Sequence, residues 1–264
     1  MFSYVDKTIR QRLEASDKLV TLDEEGRPIN DGDEAAPHLS LLGPVPLPRL
    51  LDGEEHIVHW YVFVHRVELN RVLEAASGVT EGGSEELRVL LQANMSVNSV
   101  IATPDFAEVD APLVRVHSCC MTGDVFGSRR CECGPQLDEA FRLILSEGGG
   151  AVVYMSSHEG RGIGLWAKAI TYLLQDEGQD TYQANISLGL PEDSRDFTDA
   201  AVVLRYLLKG KPVRLLSNNP LKREHLERAG QPVQAMVPIV AGVCDHNVRY
   251  LRSKRSKGHE LPEM

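Results

Sequence analysis

The stretch from Arg115 to Gln136 reads R-V-H-S-C-C-M-T-G-D-V-F-G-S-R-R-C-E-C-G-P-Q and holds four of the five cysteines. Cys120, Cys131 and Cys133 follow a Cys-x10-Cys-x-Cys spacing, which requires a turn that brings one thiolate back against a close Cys-x-Cys pair. That arrangement suits a metal ion. Zinc held by three protein ligands keeps a fourth position open, as in catalytic sites, and can lower the pKa of a water there from ~15.7 to about 7. A hydrolase is therefore the first expectation. Two alternatives stay open on the spacing: a structural zinc closed by His117 or His158, and a redox-active cysteine set. Cys119 adjoins Cys120, and neighbouring side chains of an extended chain point to opposite sides, so only one of the two is expected to reach the same ion.

Composition narrows the partners. The formal net charge is -10, which argues against a general nucleic-acid binder, since that activity relies on a basic footprint. A small anionic substrate needs only a local cluster of donors. The start, M-F-S-Y-V-D-K-T, has no apolar segment after a basic one, and no window approaches a membrane span, so a cytoplasmic protein with no membrane partner is expected. Five cysteines in such a chain favour metal or reactive thiols over disulfides.

Residues 1–40, centred on D-E-E-G-R-P-I-N-D-G-D-E, are polar and acidic and read as a mobile arm with one short helix over Lys7 to Leu19. Residues 41–113 form a second region. L-L-G-P-V-P-L-P-R-L-L is a proline-rich lead-in, and H-I-V-H-W-Y-V-F-V from His56 is a strand. Its histidines and His65 raise the idea of a second metal site, against the commoner packed or exposed reading. Two helical periods between Glu68 and Asn94 read as an insertion. Over residues 114–250 strands alternate with helices, the pattern of a layered α/β domain whose loops at the strand ends make the site. Residues 251–264 read as a basic tail.

Those loops carry polar groups. S-S-H-E-G-R-G-I-G-L joins a strand to a helix that runs through Tyr172, and its glycines allow close backbone approach beside Arg161. The spacing is neither the Rossmann nor the P-loop one. S-N-N-P-L-K-R offers a capped helix start with Lys222, either a phosphate site or a plain capped helix with a solvated lysine. Asp193 and Arg195, two apart in a loop, read as a base and a phosphate partner or as a surface pair.

Taken together and in order, R-V-H-S-x-C-x-T-G-D, R-C-x-C-G-x-Q-L, E-G-R-G-I-G-L, L-Q-D-x-G-x-D-T, L-G-x-x-x-D-x-R-D-F and L-x-N-N-P-x-K make the sequence resemble the GTP cyclohydrolase II family, from roughly Val114 to Tyr250. The resemblance implies an α/β fold with a mixed sheet, one zinc per subunit on Cys120, Cys131 and Cys133, magnesium accompanying the triphosphate, and a homodimer. It implies hydrolytic opening of the guanine imidazole ring of GTP, with release of formate and pyrophosphate, at the start of riboflavin biosynthesis. It places Arg115, Val116, His117, Ser118, Cys119, Gln136, Glu159, Gly160, Arg161, Thr181, Ser217 and Lys222 around the nucleotide, and makes Asp193, Arg195 and Tyr172 catalytic. In the family's proposed mechanism the arginine attacks the α-phosphate; a protonated guanidinium is a poor nucleophile and fits a transition-state clamp instead. Cys119 stands where some members have glutamate, Ser217 where threonine is commoner, and the helical region before Asn94 replaces a compact strand-turn approach. Two other readings accompany this one: a diverged cyclohydrolase that opens UMP in uracil breakdown, and a non-catalytic zinc-stabilised binding module.

Overall fold

A long apolar run needs cover on both faces, and the two most apolar strands find it in the centre of one sheet. In a computed structural model of the protein, which describes residues 7–30, 33–66 and 97–263, nine strands form a single mixed sheet in the order β2-β1-β3-β4-β5-β7-β6-β8-β9. The first half, β1 (Leu19–Leu22), β2 (Pro28–Ile29), β3 (Leu39–Leu51), β4 (Glu54–His65) and β5 (Asn98–Ala102), is antiparallel, and β5 pairs antiparallel with β7 (Gly150–Met155). From β7 onward, β6 (Leu113–Ser118), β8 (Val213–Leu216) and β9 (Val233–Val237) are parallel. The fold is α/β.

Helices cover both faces of the parallel half. The α3 helix (Cys133–Ser146), which follows α1 (Lys7–Ala15) and the single turn α2 (Met121–Asp124), lays Ala140, Phe141 and Ile144 against Leu113, Val152 and Leu216. On the opposite face α6 (Thr198–Leu208) packs Ala200, Val203 and Leu204 with Val114, Val116, Val153 and Leu215. Between them in sequence run α4 (Gly164–Asp176) and α5 (Thr181–Ser187); α7 (Pro220–Arg228) and α8 (Val248–Ser256) follow β8 and β9. The alternation along β6 has a direct consequence: Val114 and Val116 face α6, so Arg115 and His117 face α3 and the cysteines at its start. Among the described residues no helix is long and apolar enough to cross a membrane.

Four expectations change. Residues 7–30 and 33–40 are not a mobile arm: β1 pairs with β3 from Leu19↔Leu42 to Leu22↔Leu39, and Leu22 and Leu39 are fully buried. Three apolar residues in a four-residue strand suffice once a longer strand templates them, a condition invisible in the acidic composition. The proline-rich lead-in is the strand β3 itself. Pro46 and Pro48 fall on alternate residues past the register irregularity between Leu42 and Val45, beyond the last β1 pairing at Leu42, and Pro44 lies within that irregularity. Residues 251–263 do not form a separate tail: α8 crosses the expected boundary and buries Leu251. A compact strand-turn approach to β6 does exist, as β5 and the turn through Phe106, while the helical periods between Glu68 and Asn94 lie outside the described residues.

Candidate active site

The polar loops meet beyond the C-terminal ends of β6, β7 and β8, where ligands bind in open α/β sheets. They line a cleft whose empty space, open solvent at its mouth included, is about 1060 Å³.

At one end lie the thiols. Cys120 precedes α2, and Cys131 and Cys133 open α3; their Sγ atoms all lie within 4.8 Å of one another, with Cys120 and Cys131 at 3.5 Å. Tetrahedral zinc at ~2.3 Å from each sulfur needs sulfurs about 3.8 Å apart, so the three fit one ion. Gly123 permits the cluster: a Cβ there would meet Cys131 Sγ at 3.0 Å and Cys133 Cβ at 3.1 Å. Gly134 permits it too, since a Cβ would sit 2.4 Å from the Gly123 carbonyl oxygen. The electrostatics are incomplete. Hydrogen bonds from Cys131 and Cys133, helped by the Lys168 ammonium, hold Cys120 far below an ordinary thiol. The price is that Cys131 is pushed up to about 12 by its bond to Cys120, and Cys133 well above its usual value. Three thiolates coexist here only around a cation, which is the chemistry of a metal site.

Neither candidate histidine belongs to that set. His117, stacked on Tyr154, faces Asp124 with Nε2 at 3.1 Å, and burial lowers its pKa. His158 gives Nε2–H to the Asp196 carbonyl at 2.8 Å and accepts from Ser118 at Nδ1 at 3.2 Å; burial, then the Arg195 charge, push it down to about 4. Cys119 points away as a thiol, pushed up to about 11 by burial, and donates to Glu159 Oε2 at 3.6 Å. Asp124 braces the turn by accepting from the Cys120 N–H at 3.0 Å and the Tyr154 hydroxyl at 2.9 Å.

The glycine-rich turn over Ser156–Gly162 links the ends. Gly160 and Arg161 both take left-handed conformations, at φ 60° and 64°, which turns the Glu159 and Arg161 side chains inward. Glu159 is a brace: it accepts from the Met121 N–H at 2.6 Å, the Gly160 N–H at 3.0 Å and Lys168 Nζ at 2.6 Å. Lys168 also reaches Cys120 Sγ at 3.1 Å. Burial opposes its charge, yet the Cys120 thiolate and Glu159 keep it above an ordinary lysine. Tyr172, one turn on along α4, shares a 2.9 Å hydrogen bond with Thr122.

At the other end cations gather. Asp193 grips Arg195 in a fork, with Nε at 2.8 Å and Nη2 at 2.5 Å, and Nη1 reaches Ser118 at 3.3 Å. Burial works against the Asp193 carboxylate, but Arg195 holds it below the usual range. Arg161 lies 3.9 Å over the Tyr182 ring and leaves Nη2 buried with no hydrogen-bond partner. Lys222, on the first turn of α7, reaches the Val116 carbonyl at 2.7 Å; burial and then Arg115 and Arg195 depress its pKa strongly. Asn219 caps that helix and Ser217 accepts the Asn219 N–H at 3.1 Å. Arg115 spans from the Leu216 carbonyl at 3.0 Å to Gln136 at 2.8 Å.

Residues 84–238 match the family described as GTP cyclohydrolase II, which is more than half of the chain. The chain belongs to the GTP cyclohydrolase II family. Among curated relatives, it is similar to the riboflavin biosynthesis protein RibBA of Mycobacteroides abscessus, 53% identical over 153 residues, or 58% of this chain and 36% of the relative. The protein of the same name from Mycobacterium bovis is 46% identical over 203 residues, 75% of this chain and 47% of the relative. That of Mycolicibacterium paratuberculosis is 45% identical over 203 residues, with the same coverage. The chain thus spans about half the length, or less, of these relatives.

Not every residue that the GTP cyclohydrolase II resemblance places around the nucleotide lines the cleft. Val116 is fully buried against α6 and offers only its carbonyl, to Lys222; Glu159 and Asp193 stand behind the wall and hold Lys168 and Arg195. Arg115, His117, Ser118, Cys119, Gln136, Gly160, Arg161, Thr181, Ser217 and Lys222 do line it, with Tyr172 and Arg195. Sequence reasoning missed Lys168, which reads as a solvated helix lysine until Glu159 and Cys120 are seen beside it. It also missed Tyr250, Lys254, His259 and Leu261, which reach the cleft from the C-terminal segment. Away from the cleft His65 meets His38, ring centroids 4.5 Å apart, and His38 faces Asp199 at 2.9 Å. His56 and His59 take no part in that group.

Proposed function

We propose that this chain opens the imidazole ring of GTP by hydrolysis and releases formate and pyrophosphate, the reaction that starts riboflavin biosynthesis. One observation carries the reading: a single cleft has a thiol cluster short of positive charge at one end and a cation cluster short of negative charge at the other. The family and the printed function of its relatives support it. Cys120, Cys131 and Cys133 would hold zinc, one per subunit, which would supply an activated water for the ring hydrolysis.

The protein's own groups do the rest. Lys168 and Glu159 fix Cys120 and the Met121 turn, which keeps the thiols facing the cleft. Arg195 presents a cation to the α-phosphate, where charge builds as pyrophosphate leaves, and Asp193 orients it from behind the wall. Arg161 and Lys222 bind phosphate oxygens, and magnesium accompanies the triphosphate. Arg115 and Gln136 line the wall with His117, Ser118, Cys119 and Thr181, and Ser217 orders the Asn219 cap under Lys222. Tyr172, tied to Thr122, assists completion of the hydrolysis beside the thiols.

A homodimer and a cytoplasmic location complete the reading. The outer face of α4 exposes Trp166 at 84% and Leu173 at 64%, and the loop after α2 exposes Phe126 at 67%, an apolar surface that a second copy would cover. Zinc-loaded protein incubated separately with GTP and with UMP tests the function. Formate and pyrophosphate from GTP are expected. Consumption of UMP with GTP untouched would replace this reading by a pyrimidine-opening one, and inertness towards both would leave a binding module.

A further inference from the structure

Past α8 the chain turns back over the cleft. Gly258, at φ +86°, makes the reversal, His259 N–H donates to the Lys254 carbonyl at 3.2 Å, and Glu260 N–H donates to the Asn218 carbonyl at 2.8 Å. The last bond fastens the segment to the loop between β8 and α7, which carries the Asn219 cap and Lys222. Tyr250, Lys254, His259 and Leu261 thereby become one wall of the cleft. The other basic side chains nearby are engaged outside it: Arg255 pairs with Glu263 at 3.3 Å and Lys257 with Glu192. Lys254 lies 4.9 Å over the Tyr250 ring and pairs with the buried Glu132, whose other oxygen has no hydrogen-bond partner.

His259 is the telling group. Its Nδ1 is shielded from solvent and has no hydrogen-bond partner, the same condition as Arg161 Nη2. An orphaned donor or acceptor of this kind is costly unless a ligand completes it. What surrounds it says which ligand. Burial, followed by the charges of Lys254, Arg161, Arg195 and Lys222, pushes His259 down to about 3, so the imidazole sits neutral among basic side chains. Asp193, which pairs with Arg161 and Arg195, and Glu132, which pairs with Lys254, answer only part of that charge, and a bound anion would satisfy the orphaned nitrogen and complete the balance.

We propose that the segment from Val248 to Leu261 is part of the substrate site, with His259 and Lys254 completing the binding of the polyphosphate chain. Resting on the nucleotide reading above, this makes the C-terminal segment a strap that recognises phosphate and leaves the base to the other wall. His259 donates from Nδ1 to a phosphate oxygen, Lys254 adds a point charge, and Tyr250 and Leu261 exclude water from the pair.

Calorimetry on the full-length, zinc-loaded protein tests it with two probes, guanosine 5′-(β,γ-imido)triphosphate and inorganic triphosphate. His259→Ala removes no side-chain hydrogen bond present in the free protein, and Lys254→Gln keeps a donor for Glu132, so both variants should fold. Each is expected to weaken both probes by the same factor, about tenfold, the value of one charge-assisted hydrogen bond. Unchanged affinity for both probes would overturn the proposal. So would weakening of the guanosine probe alone, which would mean that the strap reads base or ribose, and so would inorganic triphosphate failing to bind the wild type. The two readings fail separately: a wild type that binds inorganic triphosphate through His259 yet releases no formate from GTP removes the ring opening and keeps the strap. Normal turnover of GTP with His259→Ala indistinguishable from wild type removes the strap and keeps the ring opening.

Discussion

The two ends of the cleft are built from opposite deficits. At the thiol end, Cys120, Cys131 and Cys133 crowd within 4.8 Å, and ionising one pushes the other two up. At the far end, burial and then the charges of Arg115, Arg195 and Lys254 strongly depress Lys222. Neither end is balanced by the chain alone. On the proposed reading the first is completed by a cation that the protein keeps, the second by an anion that comes and goes. The bracing differs: the thiol end is locked by Gly123, Gly134, Asp124 and the Glu159–Lys168 pair, with unpartnered atoms left on Glu132 and His117, whereas at the cation end the unpartnered atoms belong to Arg161 and His259.

Breaking the thiol end should have the largest effect. Cys131→Ser should lose stoichiometric zinc and lower formate release by at least about a thousandfold, because an activated water is worth several kcal/mol. Metal analysis beside a formate assay checks it, and full activity with zinc retained would exclude the site. At the other end Arg195→Ala should lower pyrophosphate release roughly 10²–10³-fold while nucleotide affinity falls less, since the clamp acts where charge develops. Equal losses in binding and turnover would make Arg195 a binding residue only.

Smaller effects sharpen the contrast. Gly123→Ala brings a Cβ to 3.0 Å from Cys131 Sγ, and zinc affinity, measured by chelator competition, should drop about 10–100-fold with the cation end untouched. Unaltered zinc affinity would show that the thiol turn has slack. Tyr172→Phe deletes only the bond to Thr122 and should cost about tenfold or less in turnover at unchanged zinc content. Loss of zinc in that variant would assign the hydroxyl to holding the metal turn.

Much of this asymmetry is legible in the sequence, because its parts are local. The Cys-x10-Cys-x-Cys run, the E-G-R-G turn and S-N-N-P-L-K each fold within a few residues of themselves, so spacing carries their geometry. The braces do not work that way. Lys168 reaches Cys120 across 48 positions and Glu159 reaches Met121 across 38, so neither partner announces the other. Val116 shows the limit of a contiguous motif: inside R-V-H-S it looks like its neighbours, yet strand alternation turns it to the α6 face. The strap was hidden for a different reason. Tyr250, Lys254 and His259 sit in a run of basic residues that reads as solvated, and only the Glu260–Asn218 bond shows where that run lies. The same holds for β1, whose four residues L-V-T-L gain their place from β3 and not from their own composition.

The most direct test is metal removal on the wild type. Protein stripped of zinc by a chelator and incubated with GTP and magnesium should release no formate, and one equivalent of zinc should restore formate in step with pyrophosphate. Formate from the stripped protein, or none from the reloaded one, would contradict the account.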